Sequence, residues 1–567
     1  MRYAELAEVY EELLTTTKKL EKSAIVAKLL EKTPPEILSK VVLLLNGEVY
    51  PGWSEEVVGV ANQIMIRALA KSSGRTEKEV VDDFNKSGDL GLTAESILKK
   101  RKQTTLKKHT LTVDEVFDGI RKLAVEEGSG SQDRKLGLIS HLLVSASPNE
   151  AKYIVRTILE DLRVGVAEGL IRDAIAQAFH VDADLVEQAW FLLQDYGEVA
   201  KIAKKSHDKG LREVEIEISK PIAVLLGEKA PSLKEAIESF ERVALEKKYD
   251  GLRLQIQKKG NHIWLFTRRQ DNVTKQFPEV VDYCKKALKA ESCIVEGECL
   301  GIDPKTKRPL PFQKISQRIR RKYGIEEMAK EIPVQVNLFD IIYLNGKPVV
   351  DEKLSRRREL LDSIVSPIAG KFQLAEQIVT KDLKEAEKFY KESLADGQEG
   401  VMIKNLDSKY IFGRRVAGGW LKVKPVLENL DLTIIGGTWG TGKRTGWIGS
   451  LNLGVRDPRT GAFLECGMLG TGIKEKVTDE GDITFNQITK MMKPLIESES
   501  GSSIKIRPKI VIEISYQEIQ RSPTYESGFA LRFPRFVRLR PDKAVEEADD
   551  LNRMKKIYDM QKSVKKR

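Results

Sequence analysis

A lysine, an aspartate, a glycine and an arginine stand at fixed offsets in Lys248-Tyr249-Asp250-Gly251-Leu252-Arg253. An amine is nucleophilic only when neutral, a state favoured by burial and by nearby positive charge. Lys248 is the candidate nucleophile on that ground, and a charged hairpin edge is the plain alternative. Lys422 and Lys424, in Trp420-Leu421-Lys422-Val423-Lys424, alternate in a strand-like pattern and so would point one way. Facing Lys248, they would help to neutralise it and hold a phosphate; lysines so spaced also protect an edge strand. Glu296 and Glu298 share one face of Val295-Glu296-Gly297-Glu298, and Glu399 opens Glu399-Gly400-Val401-Met402-Ile403-Lys404. Acids beside apolar strands, with cations near, suit Mg2+ shared with phosphates. Phe339 can stack on a base or simply fill a core. The run Arg532 to Lys543 interleaves five cations with aromatics, a pattern for phosphate contact or for a charged strand face.

Several classes fall away. Gly437-Thr438-Trp439-Gly440-Thr441-Gly442-Lys443-Arg444 approaches a phosphate-binding P-loop, but Arg444 stands where a hydroxyl must hold Mg2+. It reads as a basic hairpin loop. The four cysteines, Cys284, Cys293, Cys299 and Cys466, show no zinc-type pairing, and only five histidines are present. A structural zinc site and a disulfide framework are therefore unexpected, and a reducing compartment is expected. With 41% hydrophobic and 32% charged residues and no long apolar run, the 567-residue chain reads as soluble and globular, without a signal peptide or membrane span. A net charge of +11 fits a polyanionic partner.

These residues need elements to hold them. Up to about 205 the pattern is helical. Thr33-Pro34-Pro35-Glu36 reads as a capping box closed at Asn46-Gly47, Trp53-Ser54 opens a second helix carrying Val57, Val58, Ala61 and Ile64, and Ser147-Pro148-Asn149-Glu150 opens another. Gly128 to Gln132 and Leu162 to Gly169 are glycine-interrupted turns into helices, able to hold a phosphate or merely to turn. Gln103 to Leu106 lies in a basic polar stretch. From Ala244 the period falls to two: Leu252, Leu254 and Ile256 alternate, Lys259-Gly260-Asn261 turns, and Ile263 to Thr267 returns, with Lys248 at the hairpin's entrance. Strands are expected at 293–300, 334–343 and 400–404, then, after a connector at 425–430, at 432–436, 451–455, 463–468 and 510–519. One helix near 485–496 within the last group suggests a small OB-type barrel. A basic helix closes the chain over 551–567.

The ordered set Lys248-x-Asp250-Gly251-x-Arg253, Thr267-Arg268, Glu296-Gly297-Glu298, Phe339-Asp340, Glu399-Gly400-x-x-x-Lys404, Trp420-Leu421-Lys422-x-Lys424 and Arg540-x-Asp542-Lys543 resembles the motif series of covalent nucleotidyltransferases. Among them it is most similar to the replicative ATP-dependent DNA ligases of archaeal type, akin to eukaryotic ligase I. Gly128 to Gln132, Leu162-Arg163-x-Gly165 and Arg532-Phe533-Pro534-Arg535-Phe536 belong to the same resemblance, which spans nearly the whole chain.

The resemblance implies three domains: an all-α DNA-binding domain at 1–208, an α+β adenylation domain at 209–425, and an all-β OB-fold domain with its basic helix at 426–567. It implies that Lys248 takes AMP from ATP, that AMP passes to the 5′-phosphate of nicked duplex DNA, and that the 3′-hydroxyl displaces it. By the same analogy Glu246 contacts adenine and Phe339 stacks on it. Arg253 and Arg268 contact ribose or phosphate, Glu298 and Glu399 ribose or Mg2+, and Lys422 and Lys424 the α-phosphate. Arg415, or its neighbour Arg414, completes the cation set, and Arg540 and Lys543 orient the leaving pyrophosphate in the first step. Gln103–Leu106 resembles a segment that binds a sliding clamp. A monomer, cytoplasmic and nucleoid-associated, is expected. The rivals are an RNA ligase, a GTP-using mRNA-capping guanylyltransferase, and a non-catalytic nucleic-acid scaffold. An NAD-dependent ligase would carry zinc-spaced cysteines.

Overall fold

The computed structural model of the chain describes all residues except 101–108, 320, 322, 414–418, 426–427, 441–443, 445, 478–481 and 565–567, and the side chains of 562–564. It divides into two compact units, Met1–Ala386 with Met402–Val423, and Glu387–Val401 with Lys424–Arg567.

The first unit opens with helices from Tyr3 to Arg212. Their apolar stripes meet in one core, in which Tyr10 lies 4.6 Å from Tyr153 and donates its hydroxyl to Leu44 O at 2.8 Å. Ser147 caps the helix Pro148–Ile158 through the expected reciprocal box with Glu150. Two expectations fail. Thr33 forms no capping box with Glu36: the helix starts at Pro35, and the Thr33 hydroxyl turns back to Leu29 O of the preceding helix. No helix starts at Trp53-Ser54 either. The Ser54 hydroxyl accepts from Glu56 N in a local turn, Val57 is exposed, and the helix begins only at Asn62.

Beyond Arg212 the chain becomes mixed. Its strands are β1 (Glu228–Lys229), β2 (Val243–Lys248), β3 (Leu252–Lys259), β4 (His262–Thr267), β5 (Ser292–Gly301), β6 (Val334–Leu344), β7 (Lys347–Pro348), β8 (Phe372–Leu374), β9 (Gln377–Val379), β10 (Gly400–Asn405) and β11 (Trp420–Val423). They form two sheets. One is antiparallel in the order β4-β3-β5-β6-β7, with β8 added parallel to β6; the other runs β1-β11-β10-β2-β9. Leu252, Leu254 and Ile256 alternate into the core of the first sheet as the period predicts. The opposite face of β3 is covered as well. Gln255 holds Ile222 through both backbone groups, and Gln257 holds Ser219 N and Lys220 O. The strap 219–225 thus runs beside β3 on side-chain bonds rather than on a strand ladder.

In the second unit, β12 (Leu430–Trp439), β13 (Ile448–Arg456), β14 (Phe463–Leu469), β15 (Ile496–Ser500) and β16 (Ser503–Ser515) form a sheet in the order β14-β13-β12-β16-β15. β17 (Glu518–Arg521) pairs with β18 (Phe529–Arg532), and β19 (Arg535–Leu539) pairs with β16. The single strand expected over 510–519 is therefore two, broken at Tyr516-Gln517. The helix Phe485–Met492 interrupts the strands as expected, and the helix Leu551–Val564 closes the unit through Met554, Ile557 and Tyr558.

One buried ion pair fixes β6. Arg357, on the helix Leu354–Ile364, donates Nε and Nη2 to Asp340 at 2.8 and 3.0 Å and Nη1 to Glu352 O and Ser408 O, and both side chains are fully buried. Losing one partner of such a pair costs about 3–5 kcal/mol. Arg357→Met is therefore expected to lower the thermal and urea midpoints sharply, and adding Asp340→Leu should recover much of the loss. Unchanged midpoints for the single variant would contradict this account of β6.

Candidate active site

Lys248 ends β2, and β3 starts four residues later in the other sheet. The chain crosses between sheets over Tyr249-Asp250-Gly251, so Lys248 stands where the two meet, rather than on a hairpin edge. The crossing is tight. A Cβ on Gly251 would lie 2.6 Å from Cys299 O and 3.0 Å from Glu298 Cγ, so only glycine lets β3 approach β5 here.

Each sheet contributes one face. Glu246 and Lys248 alternate on β2 and share a side. Glu246 is buried against Lys404 of β10, whose Nζ lies 2.6 Å from its Oε2, and Gln377 of β9 donates to its Oε1 at 2.8 Å. Arg358 Nη1 approaches the same oxygen at 3.7 Å. Lys404 also lies over the rings of Trp420, at 4.1 Å, and Phe339, at 4.6 Å, and those two rings meet edge to face. Trp420 therefore faces inward from β11, and Lys422, two residues on, faces the same way. The Lys422 amine is half-buried and donates to Gly227 O at 3.1 Å.

The opposing face comes from β3, β5 and β6. Arg253 lies opposite Glu298 across the β3–β5 ladder and donates Nη2 to Glu296 at 2.8 Å. Its Nη1 donates to Leu225 O of the strap at 2.7 Å, and its guanidinium lies 5.4 Å from the Phe339 ring. Glu296 is fully buried and Glu298 half-buried, so the two acids share a face in different surroundings. Arg268 sits exposed just past β4.

Burial pushes the Lys404 amine down, against the opposing pull of Glu246. Burial acts the same way on the Arg253 guanidinium, but Glu296 and Tyr410 outweigh it and raise it overall. Tyr249, next to Lys248, is raised to about 12 by burial, and its hydroxyl accepts from Glu376 N. Among the described residues, Arg253 Nε, Glu296 Oε1 and Trp420 Nε1 at this junction are buried without a hydrogen-bond partner, whereas Lys404 Nζ and Arg358 Nη1 meet the opposite charge of Glu246. Buried polar atoms are ordinarily paired, so two donors and an acceptor left over at one place fit a polar ligand such as a nucleotide.

The second unit holds the remaining candidates. Glu399 precedes β10 and lies 2.6 Å from Lys424. β11 ends at Val423, so Lys424 stands beyond the strand that carries Lys422. Arg532 lies 4.0 Å from Glu399 and 3.5 Å from Glu518. Arg540 is bound by Asp542 and by Asp431, and Lys543 shares the same Asp431 oxygen at 2.6 Å. The Asp542 carboxyl is drawn down to about 2 by that bond from Arg540. Arg415 and the segment Gln103–Leu106 lie outside the described residues.

The sequence pattern pairs Glu296 with Glu298 as acids suited to Mg2+ and holds Lys404 and Trp420 inside motifs without a role, while nothing in it marks Gln377, Arg358 or Tyr410. For Lys404 a signal existed: a lysine following the apolar run Val401-Met402-Ile403 must find a buried counter-charge.

Three family models match the chain: DNA ligase N terminus over residues 2–176, ATP dependent DNA ligase domain over 224–424, and ATP dependent DNA ligase C terminal region over 444–543. A protein of Nanoarchaeum equitans named DNA ligase is 46% identical over 563 residues, covering 99% of each chain. Another of that name, from Thermococcus onnurineus, is 46% identical over 566 residues, covering 100% of this chain and 99% of the other. A solved structure titled "Pmar-Lig_Pre." shares the fold with a TM-score of 0.58 at 18% identity, covering 94% of this chain and 99% of that one.

The Gly251 contact generates a prediction. Gly251→Ala must push β5, and Glu298 with it, away from the crossing; a displacement of about 1 Å at a reacting centre costs on the order of 100-fold in rate. Covalent labelling of the protein by α-labelled ATP should slow by that order, and a parent-like rate would contradict the assigned role of the crossing.

Proposed function

The chain belongs to the ATP-dependent DNA ligases, and from that premise we propose that it seals 5′-phosphate/3′-hydroxyl nicks in duplex DNA through an AMP carried on Lys248. The observation that carries this reading is the position of Lys248 at the crossing of two sheets whose side chains, among the described residues, leave Arg253 Nε, Glu296 Oε1 and Trp420 Nε1 buried without hydrogen-bond partners.

In the first step the Lys248 amine attacks the α-phosphorus of ATP. A P–N bond forms, the bond to the bridging oxygen breaks, and pyrophosphate leaves. In the second, an oxygen of the DNA 5′-phosphate takes AMP from the lysine. In the third, the 3′-hydroxyl oxygen attacks that phosphate, AMP leaves, and the hydroxyl proton goes to solvent. Phosphoryl transfer needs positioned charge above all, and the side chains supply it. Lys422 serves the α-phosphate. Glu246 reads the adenine edge and Phe339 stacks on the base. Arg253 and Arg268 serve ribose or phosphate, with Arg415 added to the cations. Lys424 serves the α-phosphate with Lys422, Glu399 the ribose or Mg2+, and Arg540 and Lys543 the departing pyrophosphate.

Mg2+ suits Glu298 and Glu399 as a metal held largely by phosphate. Among the described residues there is no cluster of three metal-ligating side chains, which fits a shared ion rather than a protein cage. We take the functional domains as 1–208, 209–425 and 426–567, the last an OB-type barrel, a reading supported by the helix between β14 and β15. The enzyme acts as a monomer on nicked DNA, and Gln103–Leu106 is its candidate clamp-binding segment. No described helix is long and apolar enough to cross a membrane. The free, buried cysteines fit a reducing, nucleoid-containing compartment.

The test pairs two assays on the parent, Lys248→Ala and Arg540→Ala. Lys248→Ala should abolish labelling by α-labelled ATP. Arg540→Ala should slow labelling by at least about 10-fold more than it slows sealing of pre-adenylated nicks, because only the first step expels pyrophosphate. Label from GTP alone would favour capping, sealing confined to RNA would favour an RNA ligase, and equal losses in both assays would remove the assigned role of Arg540.

A further inference from the structure

Tyr410 lies between β10 and β11, in none of the motif segments above, and its side chain is buried. Its hydroxyl makes two bonds. It donates to Glu296 Oε2 at 2.8 Å and accepts from Leu225 N at 2.9 Å. Arg253 closes the same figure from the other side, giving Nη2 to Glu296 Oε2 and Nη1 to Leu225 O. Four groups therefore form one ring: Tyr410, Glu296, Arg253 and the backbone of Leu225 in the strap, through its N–H and its carbonyl. The ring occupies both Nη atoms of Arg253 and leaves Nε buried and, among the described residues, without a partner. A guanidinium anchored at two corners presents its third edge in one orientation, and a buried donor without a partner calls for a ligand acceptor.

We propose that Tyr410 is a positioning residue for nucleotide binding: its hydroxyl fixes Glu296 and Leu225 as the two anchors of Arg253, and so aims the free edge of Arg253 at the sugar–phosphate of ATP. The inference rests on the reading of this site as the ATP site. The aromatic ring of Tyr410 has a separate, packing role. It meets Phe412 at 5.3 Å, edge to face, and stands 5.6 Å from the Arg357 guanidinium. Removing the hydroxyl alone separates the two roles. Without it, Glu296 Oε2 keeps only Arg253, Leu225 N loses its acceptor, and the strap carbonyl that holds Nη1 is no longer pinned from its own residue.

The experiment measures the rate of covalent labelling against ATP concentration for the parent, Tyr410→Phe, Arg253→Lys and the double variant, with the thermal midpoint of each. Tyr410→Phe should raise the KM for ATP by about 10-fold, as expected for loss of one hydrogen bond to a charged group, and should lower the saturating rate much less. Because the hydroxyl acts through Arg253, the double variant should be no worse than Arg253→Lys alone. A parent-like KM in Tyr410→Phe would overturn the proposal. So would full additivity in the double variant, or a fall in saturating rate and thermal midpoint with KM unchanged, since packing alone would then explain the residue. Should Arg253→Lys fail to fold, the KM of the single Tyr410→Phe variant still decides. A parent that takes no label from ATP would overturn the ATP-site reading itself, and this inference with it.

Discussion

The close approach of Gly251 to the carbonyl of Cys299 is the constraint on which the site depends. It lets the chain leave one sheet at Lys248 and start the other at Leu252 with three residues between. That crossing brings a lysine-bearing face into register with a face of acids, an arginine and an aromatic ring. Lys248, the proposed nucleophile, needs no loop of its own. It is the last residue of a strand, so its backbone is held by the sheet, and its neighbours are set by strand alternation.

Around that junction the protein keeps charge in a dry place by pairing it. Glu246 is enclosed by Lys404 and Gln377, Glu296 by Arg253 and Tyr410, and Asp340 by Arg357. Each carboxylate costs several kcal/mol to bury alone, on the order offset by a well-placed partner with further hydrogen bonds. Such pairs add little net stability compared with an apolar core. They hold side chains in one orientation, which phosphoryl transfer requires, since its catalysis rests on pre-positioned charge. The pairs are incomplete in a telling way: among the described residues, Arg253 Nε and Glu296 Oε1 remain unpaired in the same ring.

Much of this was legible in the sequence because strands announce themselves by period. β3, β4, β5, β6 and β10 fall where alternation and glycine turns put them, and Arg253 stands opposite Glu298 and beside Phe339. Helix starts were less legible. Thr33 and Ser54 both carry the side chains of a cap, yet Thr33 gives its hydroxyl to Leu29 O and Ser54 binds the backbone N–H and carboxylate of Glu56, a competition that residue type alone does not resolve. The partners of the site were the least legible. Tyr410 and Gln377 are distant in sequence from what they hold, and nothing local to either residue marks it. The strap 219–225 leaves no mark in the sequence, because a segment bound by glutamine side chains has no strand period of its own.

The central claim is that the residue ending β2 becomes the phosphoramidate. The most direct measurement is tandem mass spectrometry of the protein after incubation with ATP and Mg2+, before and after addition of nicked duplex. The account predicts one AMP adduct, confined to the peptide that contains Lys248 and lost when nicked DNA is added. An adduct on Lys247, Lys404 or Lys422 in its place, or one on Lys248 that nicked DNA does not discharge, would contradict it.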